Sequence, residues 1–355
     1  MHKVLRRILL LCVAFFSLSL APKVVPVLLA QDEASPYRVV YQGSKGPGKG
    51  KHIVFIASDH EYRSEESLPA LARILAQHHG FTCTVIFALD DEGHILPGGS
   101  NLKGLDALDK ADLMVLFTRF SNFQDEEMQH FDNYLKRGGP IVALRTATHA
   151  FNIKDNPTWQ HYDYRYNGPK TEWKDGFGEY ILGETWVSHY GTNHKQSSKL
   201  TAADDQKNHP IFRGVKEMWV QSGAYTAEPK GTVLAYDQVL NGMTPDAEPD
   251  RTKKPVPVAW TKTYQVAGGT SGRSFTTTHG ASEDLLDENF RRMLVNATFW
   301  AMGLEKAIKA TNNVALVGPY QPTTFNFNGY KAQVKPAMLA GWDSLIMPGE
   351  VVKKK

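Results

Sequence analysis

Four apolar runs of strand length, His52–Ala57, Thr82–Phe87, Leu113–Phe117 and Ile141–Leu144, alternate with helical patterns inside residues 52–144. Leu68, Leu71, Ala72 and Leu75 carry the helical spacing of the first step. Asp125–Lys136 reads as a second helix, stopped by Gly138-Gly139. Between the second and third runs lie a Gly-rich loop at 97–99 and a Leu-rich turn near 102–108. Runs that are apolar throughout must be covered on both faces, and strands alternating with helices pair in parallel. The chain is thereby constrained to an α/β fold, an open and mostly parallel sheet with helices on both faces. Such sheets present their chemistry at the carboxyl ends of the strands.

From Asn152 to about Trp219 the pattern weakens, and aromatic residues, Gly and His dominate, as in a long insertion over a site. Strand signals return at Thr232–Tyr236, Val256–Thr261 and Arg273–Thr278. A helix over Leu285–Met302 then sets Phe290, Met293, Leu294 and Ala297 on one face. The organisation expected is a signal peptide at 1–30, a polar, Gly/Lys-rich flexible leader at 31–50 and one domain at 51–303. Residues 304–355, rich in Pro, Gly and Asn and carrying Phe325, Phe327 and Trp342, are read as an irregular C-terminal extension wrapping that domain.

Lys3, Arg6 and Arg7 precede an apolar run from Ile8 to Leu20 that is too short to span a bilayer comfortably. This reads as a cleaved export signal, with cleavage after Ala30, and implies a periplasmic or secreted product. Residues 1–30 hold four cations and no acid, so their removal takes the formal net charge from +3 to −1. No basic excess remains to recruit nucleic acid, and contact with membrane is expected only through the export signal. Of the two cysteines only Cys83 then remains, in an apolar strand, where it is expected to be buried and inert.

Four places carry reactive side chains. After the first strand, Asp59, His60 and Glu61 stand together at the crevice edge, able to act as general acid and base if burial separates their pKa values. Glu65 and Glu66 behind them suit the positive end of the following helix. After the Ile141–Leu144 strand comes a tight polar bend, Arg145-Thr146-Ala147-Thr148-His149, with no Ser or Cys in it. Arg145 offers a fork of donors for an anionic or hydroxyl oxygen, with Thr146 beside it and His149 one turn on; bracing the loops by an ion pair is the structural alternative for Arg145. In the insertion, Trp173, Trp186 and Tyr190 suit a wall on which sugar rings stack, with His189 beside them as a further substrate-binding candidate. His189 and His194 are also spaced to share a divalent metal such as zinc, although no H-E-x-x-H context supports it. The fourth is His279, directly after the Arg273–Thr278 strand.

Taken in order, SDHEYRSEE, GGPIVALRTATHAF, His209-Pro210-Ile211-Phe212, PVAWTKTY and GRSFTTTHG followed by FRRMLVNATFWAMG resemble the ThuA-like (trehalose-utilisation) family over roughly residues 51–302. That resemblance implies a class I glutamine amidotransferase-like, flavodoxin-like fold and a role in carbohydrate metabolism. Against an amidotransferase elbow of the form P-I-L-G-I-C-L-G-x-Q, Pro140 matches the Pro and Arg145 falls on the Cys. Ala143 and Ala147 replace the flanking glycines, His279 falls near the triad His, and Ala281 stands where its Glu partner would be. Glutamine hydrolysis through a thioester is therefore excluded.

The expectation is an exported domain acting on a sugar or sugar derivative by acid–base chemistry, as hydrolase or isomerase, without a covalent Cys intermediate. Asp59 or Glu61 would be acid or base, with His149, His189 or His279 as proton partner and Arg145 at a developing negative oxygen. Two rival expectations are a saccharide-binding protein without chemistry and a metal-assisted hydrolase centred on His189 and His194.

Overall fold

The apolar runs become the parallel centre of a ten-stranded sheet in the computed structural model, which describes residues 35–352. The expected signal peptide lies outside the described residues. The first half contributes β1 (Arg38–Gln42), β2 (His52–Ser58), α1 (Ser64–His79), β3 (Thr82–Phe87), β4 (Leu113–Thr118), α2 (Asp125–Lys136) and β5 (Ile141–Leu144). The second half adds β6 (Ser197–Ala202), β7 (Met218–Val220), β8 (Thr232–Leu240), β9 (Val256–Gln265), β10 (Ser271–Thr277) and α3 (Glu288–Ala301). Spatial order is β1-β3-β2-β4-β5-β10-β9-β8-β6-β7. The stretch β3-β2-β4-β5-β10 is parallel. β1 on one side and β9, β8, β6 and β7 on the other are antiparallel additions. The molecule is an α/β fold with a mostly parallel core inside a larger mixed sheet.

Period-two alternation along the strands divides the core into two layers. Ile53, Phe55 and Ala57 of β2 pack with Leu68, Leu71 and Leu75 of α1 and with Phe290 and Met293 of α3. Val54 and Ile56 face the other way, onto Met128 and Phe131 of α2 and onto Trp173 and Phe177 of the insertion. Three acids in the first turn of α2 and a Lys in its last complement the helix dipole. Gly138 then turns the chain at φ 72°, where a Cβ would lie 2.5 Å from the Ser271 carbonyl oxygen, so both conformation and space demand glycine.

Three local outcomes depart from the sequence pattern. Residues 38–42, inside the segment expected to be a flexible leader, form β1, because Val39 and Tyr41 alternate into the core while their neighbours stay out. The final helix begins at Glu288 and not at Leu285. Asp287 caps it by accepting from the Phe290 N–H at 2.7 Å, and Ser282–Leu286 forms a separate 3-10 turn. Glu65 and Glu66 sit in the first turn of α1 but are buried. Glu66 accepts from the Thr323 N–H at 2.7 Å and from its hydroxyl at 2.8 Å, which fastens the C-terminal segment to the helix.

That segment has two short 3-10 turns and otherwise irregular backbone, and it buries Phe325, Val334, Leu339, Ile346 and Met347. Its carbonyls are gathered by Arg73 of α1, a fully buried guanidinium that donates to Ser344 O at 2.8 Å and Leu339 O at 3.0 Å. Buried backbone without a ladder is tolerated here because side chains supply the missing donors.

Candidate functional site

β2 delivers the chain to the carboxyl edge at Ser58, where it turns through Asp59, His60, Glu61 and Tyr62 into α1. Asp59 is fully buried, and its carboxylate is consumed by the turn itself. One oxygen accepts from the N–H groups of Glu61 (2.8 Å) and Tyr62, and the other accepts from the Thr146 hydroxyl at 2.9 Å. Asp59 and Thr146, both fully buried, therefore lock the β2 turn to the β5 bend.

The bend itself is a 3-10 turn, Arg145–His149, entered with Arg145 at φ 44°. A non-glycine residue in that region costs about 1–2 kcal/mol, and the side chain is held strongly enough to offset it. One Arg145 nitrogen donates to Thr278 O at 2.7 Å, Gly223 O at 2.9 Å and Ser222 Oγ at 3.2 Å. The guanidinium carbon lies 3.6 Å from the Tyr62 ring centre and 4.7 Å from that of Tyr225. Arg145 thus braces the elbow against the end of β10 and the 222–223 loop through carbonyls, the Ser222 hydroxyl and rings, with no ion pair among the described residues. Its Nε and second terminal nitrogen are buried without a partner.

The open part of the site is built one layer above. Glu61, largely buried, accepts from Arg119 Nη1 at 2.5 Å; Arg119 follows β4 as Asp59 follows β2. Burial pushes the Glu61 carboxyl above its usual range, opposed by the Arg119 and Arg145 charges. His149 is buried against Phe120 (5.2 Å between ring centres), Trp186 (5.2 Å) and Tyr225 (5.7 Å), with Nδ1 3.2 Å from the Thr148 hydroxyl. Burial, reinforced by the Arg119 and Arg145 charges, holds its pKa well below the ordinary histidine value.

His189 turns its ring inward onto Tyr225 (5.4 Å) and Trp186 (5.8 Å), although the residue as a whole is exposed. Its Nε2 is 3.0 Å from the Tyr62 hydroxyl, which also accepts from Asn193 Nδ2 at 3.0 Å. With Asn193 donating, the phenolic proton is directed to His189, which then carries its own proton on Nδ1. Partial burial and the two arginines push His189 down to about 4. His60 is half-buried beneath Phe327, 5.1 Å between ring centres, and burial lowers its pKa too. The arrangement is an acid with a raised pKa, paired to a guanidinium, among neutral imidazoles and aromatic walls. A carboxyl shifted upward beside imidazoles shifted downward is the kind of pairing from which general acid and base roles are built.

The remaining expected residues go elsewhere. Tyr190 donates to Lys254 O at 2.8 Å and lines a separate cleft of about 480 Å³ among Pro229, Pro255 and Pro257. His194 stacks on Phe325 at 4.6 Å while His189 engages Tyr62, so the two imidazoles do not share a ligand position. Among the described residues, one cluster of three groups has its potential metal-ligand atoms within 4.8 Å of one another: Asp90, Glu92 and His94, in the loop after β3. His279 is fully buried beneath the elbow. Its Nδ1 lies 3.0 Å from Ser222 Oγ, which donates to Asp284 at 2.5 Å, and its Nε2 has no partner. Burial and Arg145 keep its pKa well below the usual value. Asp284 also gathers the N–H groups of Gln221, Ser222, Gly280 and Ala281, so this group organises the β10 end and belongs to the Arg145 brace.

Sequence reasoning missed Arg119, Tyr62, Tyr225 and Phe327. Arg119 carried a usable signal, since it directly follows a parallel strand; Tyr225 and Phe327 arrive from distant loops and carried none. A larger cleft of about 530 Å³ opens by Lys51, Asp112, Arg273 and Trp300. Its cations are already paired, Lys51 with Asp112 at 3.1 Å and Arg273 with Glu305 at 2.8 Å, so the chemistry is assigned to the carboxyl edge.

The sequence model of the ThuA family, described as trehalose utilisation, matches residues 53–301. A ThuA-like protein of Parabacteroides merdae is similar at 17% identity and a TM-score of 0.42, over 79% of this chain and 98% of that one. A ThuA-like protein of Bacteroides uniformis is similar at 15% identity and a TM-score of 0.46, over 76% and 98%. No curated protein matches the chain. The family match runs from β2 to the end of α3 and takes in every strand of the parallel core, and the chain belongs to the ThuA (trehalose utilisation) family.

Proposed function

We propose that this chain is an exported ThuA-family protein that acts on a sugar or sugar derivative by acid–base chemistry, without a covalent Cys or Ser intermediate. The observation that carries the reading is the Glu61–Arg119 pair set among neutral His149, His189 and His60 between aromatic walls. Glu61, whose pKa is raised, gives a proton to an oxygen of the ligand, and Arg119 stabilises the carboxylate left behind. His149 takes a proton at Nε2, from water in a hydrolysis or from a carbon beside a carbonyl in an isomerisation, because the Thr148 hydroxyl donates to Arg145 O and so accepts from His149 Nδ1, while His189 orients the Tyr62 hydroxyl. Arg145 contributes its field and the geometry of the elbow. The apolar run behind Lys3, Arg6 and Arg7 supports export, which N-terminal mass analysis of the secreted or periplasmic product checks.

One observation favours a saccharide-binding protein as the second reading. Asp59 and Thr146 bond to each other, and Arg145 Nη1 is taken up by Thr278 O and Gly223 O inside the protein, which leaves few groups for bond-breaking. Thermal stabilisation of the purified chain by sugars, oxidised sugars and sugar acids, followed by analysis of each ligand after incubation, decides between them. A ligand at 100 times its dissociation constant adds about 2.7 kcal/mol of stability. Consumption of the stabilising ligand supports the enzyme; its full recovery from the wild-type protein overturns the catalytic reading in favour of the binder. A divalent metal, the remaining alternative, is checked by metal content of protein purified without chelator.

A further inference from the structure

Phe327 belongs to the C-terminal segment, outside the stretch that matches the family. It is 46% exposed, although Phe325 two residues earlier is fully buried. Its ring lies 5.0 Å from the Arg119 guanidinium carbon and 5.1 Å from the His60 ring centre, so it stands at the mouth of the Glu61–Arg119 crevice. The segment is not loosely laid there. Thr323 is held by Glu66, Thr324 donates to Glu283 at 3.1 Å, and Ser282 Oγ donates to Thr323 O at 2.8 Å. Phe325 is clamped between Tyr62, at 5.0 Å, and His194.

From these contacts we infer that Phe327 is a specificity-determining residue, an aromatic lip on which a pyranose ring of the ligand stacks while its hydroxyl edge meets Glu61 and Arg119. The inference rests on the saccharide reading above and names the ring form of the sugar as what is recognised. A pyranose has an apolar C–H face and a polar rim. The crevice mouth offers the matching pair, a half-exposed aromatic ring beside a carboxyl, a guanidinium and an imidazole. One half-exposed ring is too small a patch to dock a protein.

The test is titration calorimetry of the full chain with trehalose, methyl α-D-glucopyranoside and, as an acyclic control, sorbitol. Phe327→Ala and Phe327→Leu are expected to weaken both pyranosides about tenfold or more, while Phe327→Trp stays within about threefold. The sorbitol response is expected to be the same in all four proteins. Leu keeps apolar volume but removes the π face, so the Leu and Trp pair decides the matter even where the Ala variant folds poorly. Wild-type affinity for trehalose in both the Ala and Leu variants would overturn the lip while leaving the saccharide reading standing. A wild-type protein that binds neither pyranoside also overturns the lip, while the screen of sugars, oxidised sugars and sugar acids above decides the saccharide reading separately.

Discussion

Arg145 shows how a side chain can occupy the most reactive-looking position of a fold and be retained for structure. One terminal nitrogen is turned onto the Gly223 and Thr278 carbonyls, and the guanidinium lies against the Tyr62 and Tyr225 rings. A lysine has neither the fork nor the planar face. Arg145→Lys is accordingly expected to cost about 2–4 kcal/mol in urea denaturation; a loss below about 1 kcal/mol would show that the brace is not what holds the elbow. Glu61 behaves differently because burial raises its pKa while Arg119 pairs with its carboxyl group. Glu61→Gln should lower turnover of whichever sugar is consumed by about 100-fold or more, within the range of general acid catalysis, with affinity nearly unchanged. Equal losses in turnover and affinity would reassign Glu61 to binding.

At the scale of elements, two junctions place the site. α3 starts only because Asp287 takes the N-cap, and Asp287 also accepts from the Trp219 N–H at 3.3 Å, coupling the helix to β7. Asp287→Ala is expected to destabilise the chain by about 1–2 kcal/mol in chemical denaturation, the usual cost of a lost cap. The second junction is Glu66 with Thr323, which ties the C-terminal segment to the first turn of α1. Glu66→Ala should accelerate amide hydrogen exchange across residues 320–328 by about tenfold or more while the parallel strands remain protected. Unchanged exchange there would mean that Phe325 and Arg73 suffice to hold the segment.

Over the whole molecule, buried ionisable groups set a pH dependence that no local motif announces. Asp237 of β8 is fully buried, accepts from Ser198 at 2.8 Å and is pushed by burial up to about 7. It is therefore protonated in the folded protein across a range where the unfolded chain is already ionised. Its contribution is complete below the unfolded value near 4 and is lost as pH rises through about 7, by at most about 4 kcal/mol. Glu65 and Glu184, both raised to about 7, act in the same direction. His149 and His279, lowered by burial, act in the opposite one: their contribution is present above the ordinary histidine value and is lost as pH falls. The difference between wild type and Asp237→Asn isolates one group. Between pH 4 and 7 the variant should lose less stability than wild type, and parallel curves would contradict the buried carboxyl.

The sequence by itself determined the parallel core, because a strand apolar on both faces has one stable environment. It also determined the carboxyl edge as the place for chemistry, because each of those strands ends in a polar turn. Asp59–Glu61, Arg145, His149 and His279 all lie at that edge, as their positions after strands required. What each of them does there depended on partners remote in sequence. Asp59 was taken by Thr146, Arg145 by Thr278 and Gly223, and His279 by Ser222. Glu61 was paired with Arg119. Tertiary packing alone brought Tyr225 and Phe327 to the crevice and took Tyr190 and His194 out of it. The physical reason is that hydrogen-bond saturation and burial belong to the neighbours a side chain meets in space, and sequence spacing fixes those only within a strand, a turn or a helix.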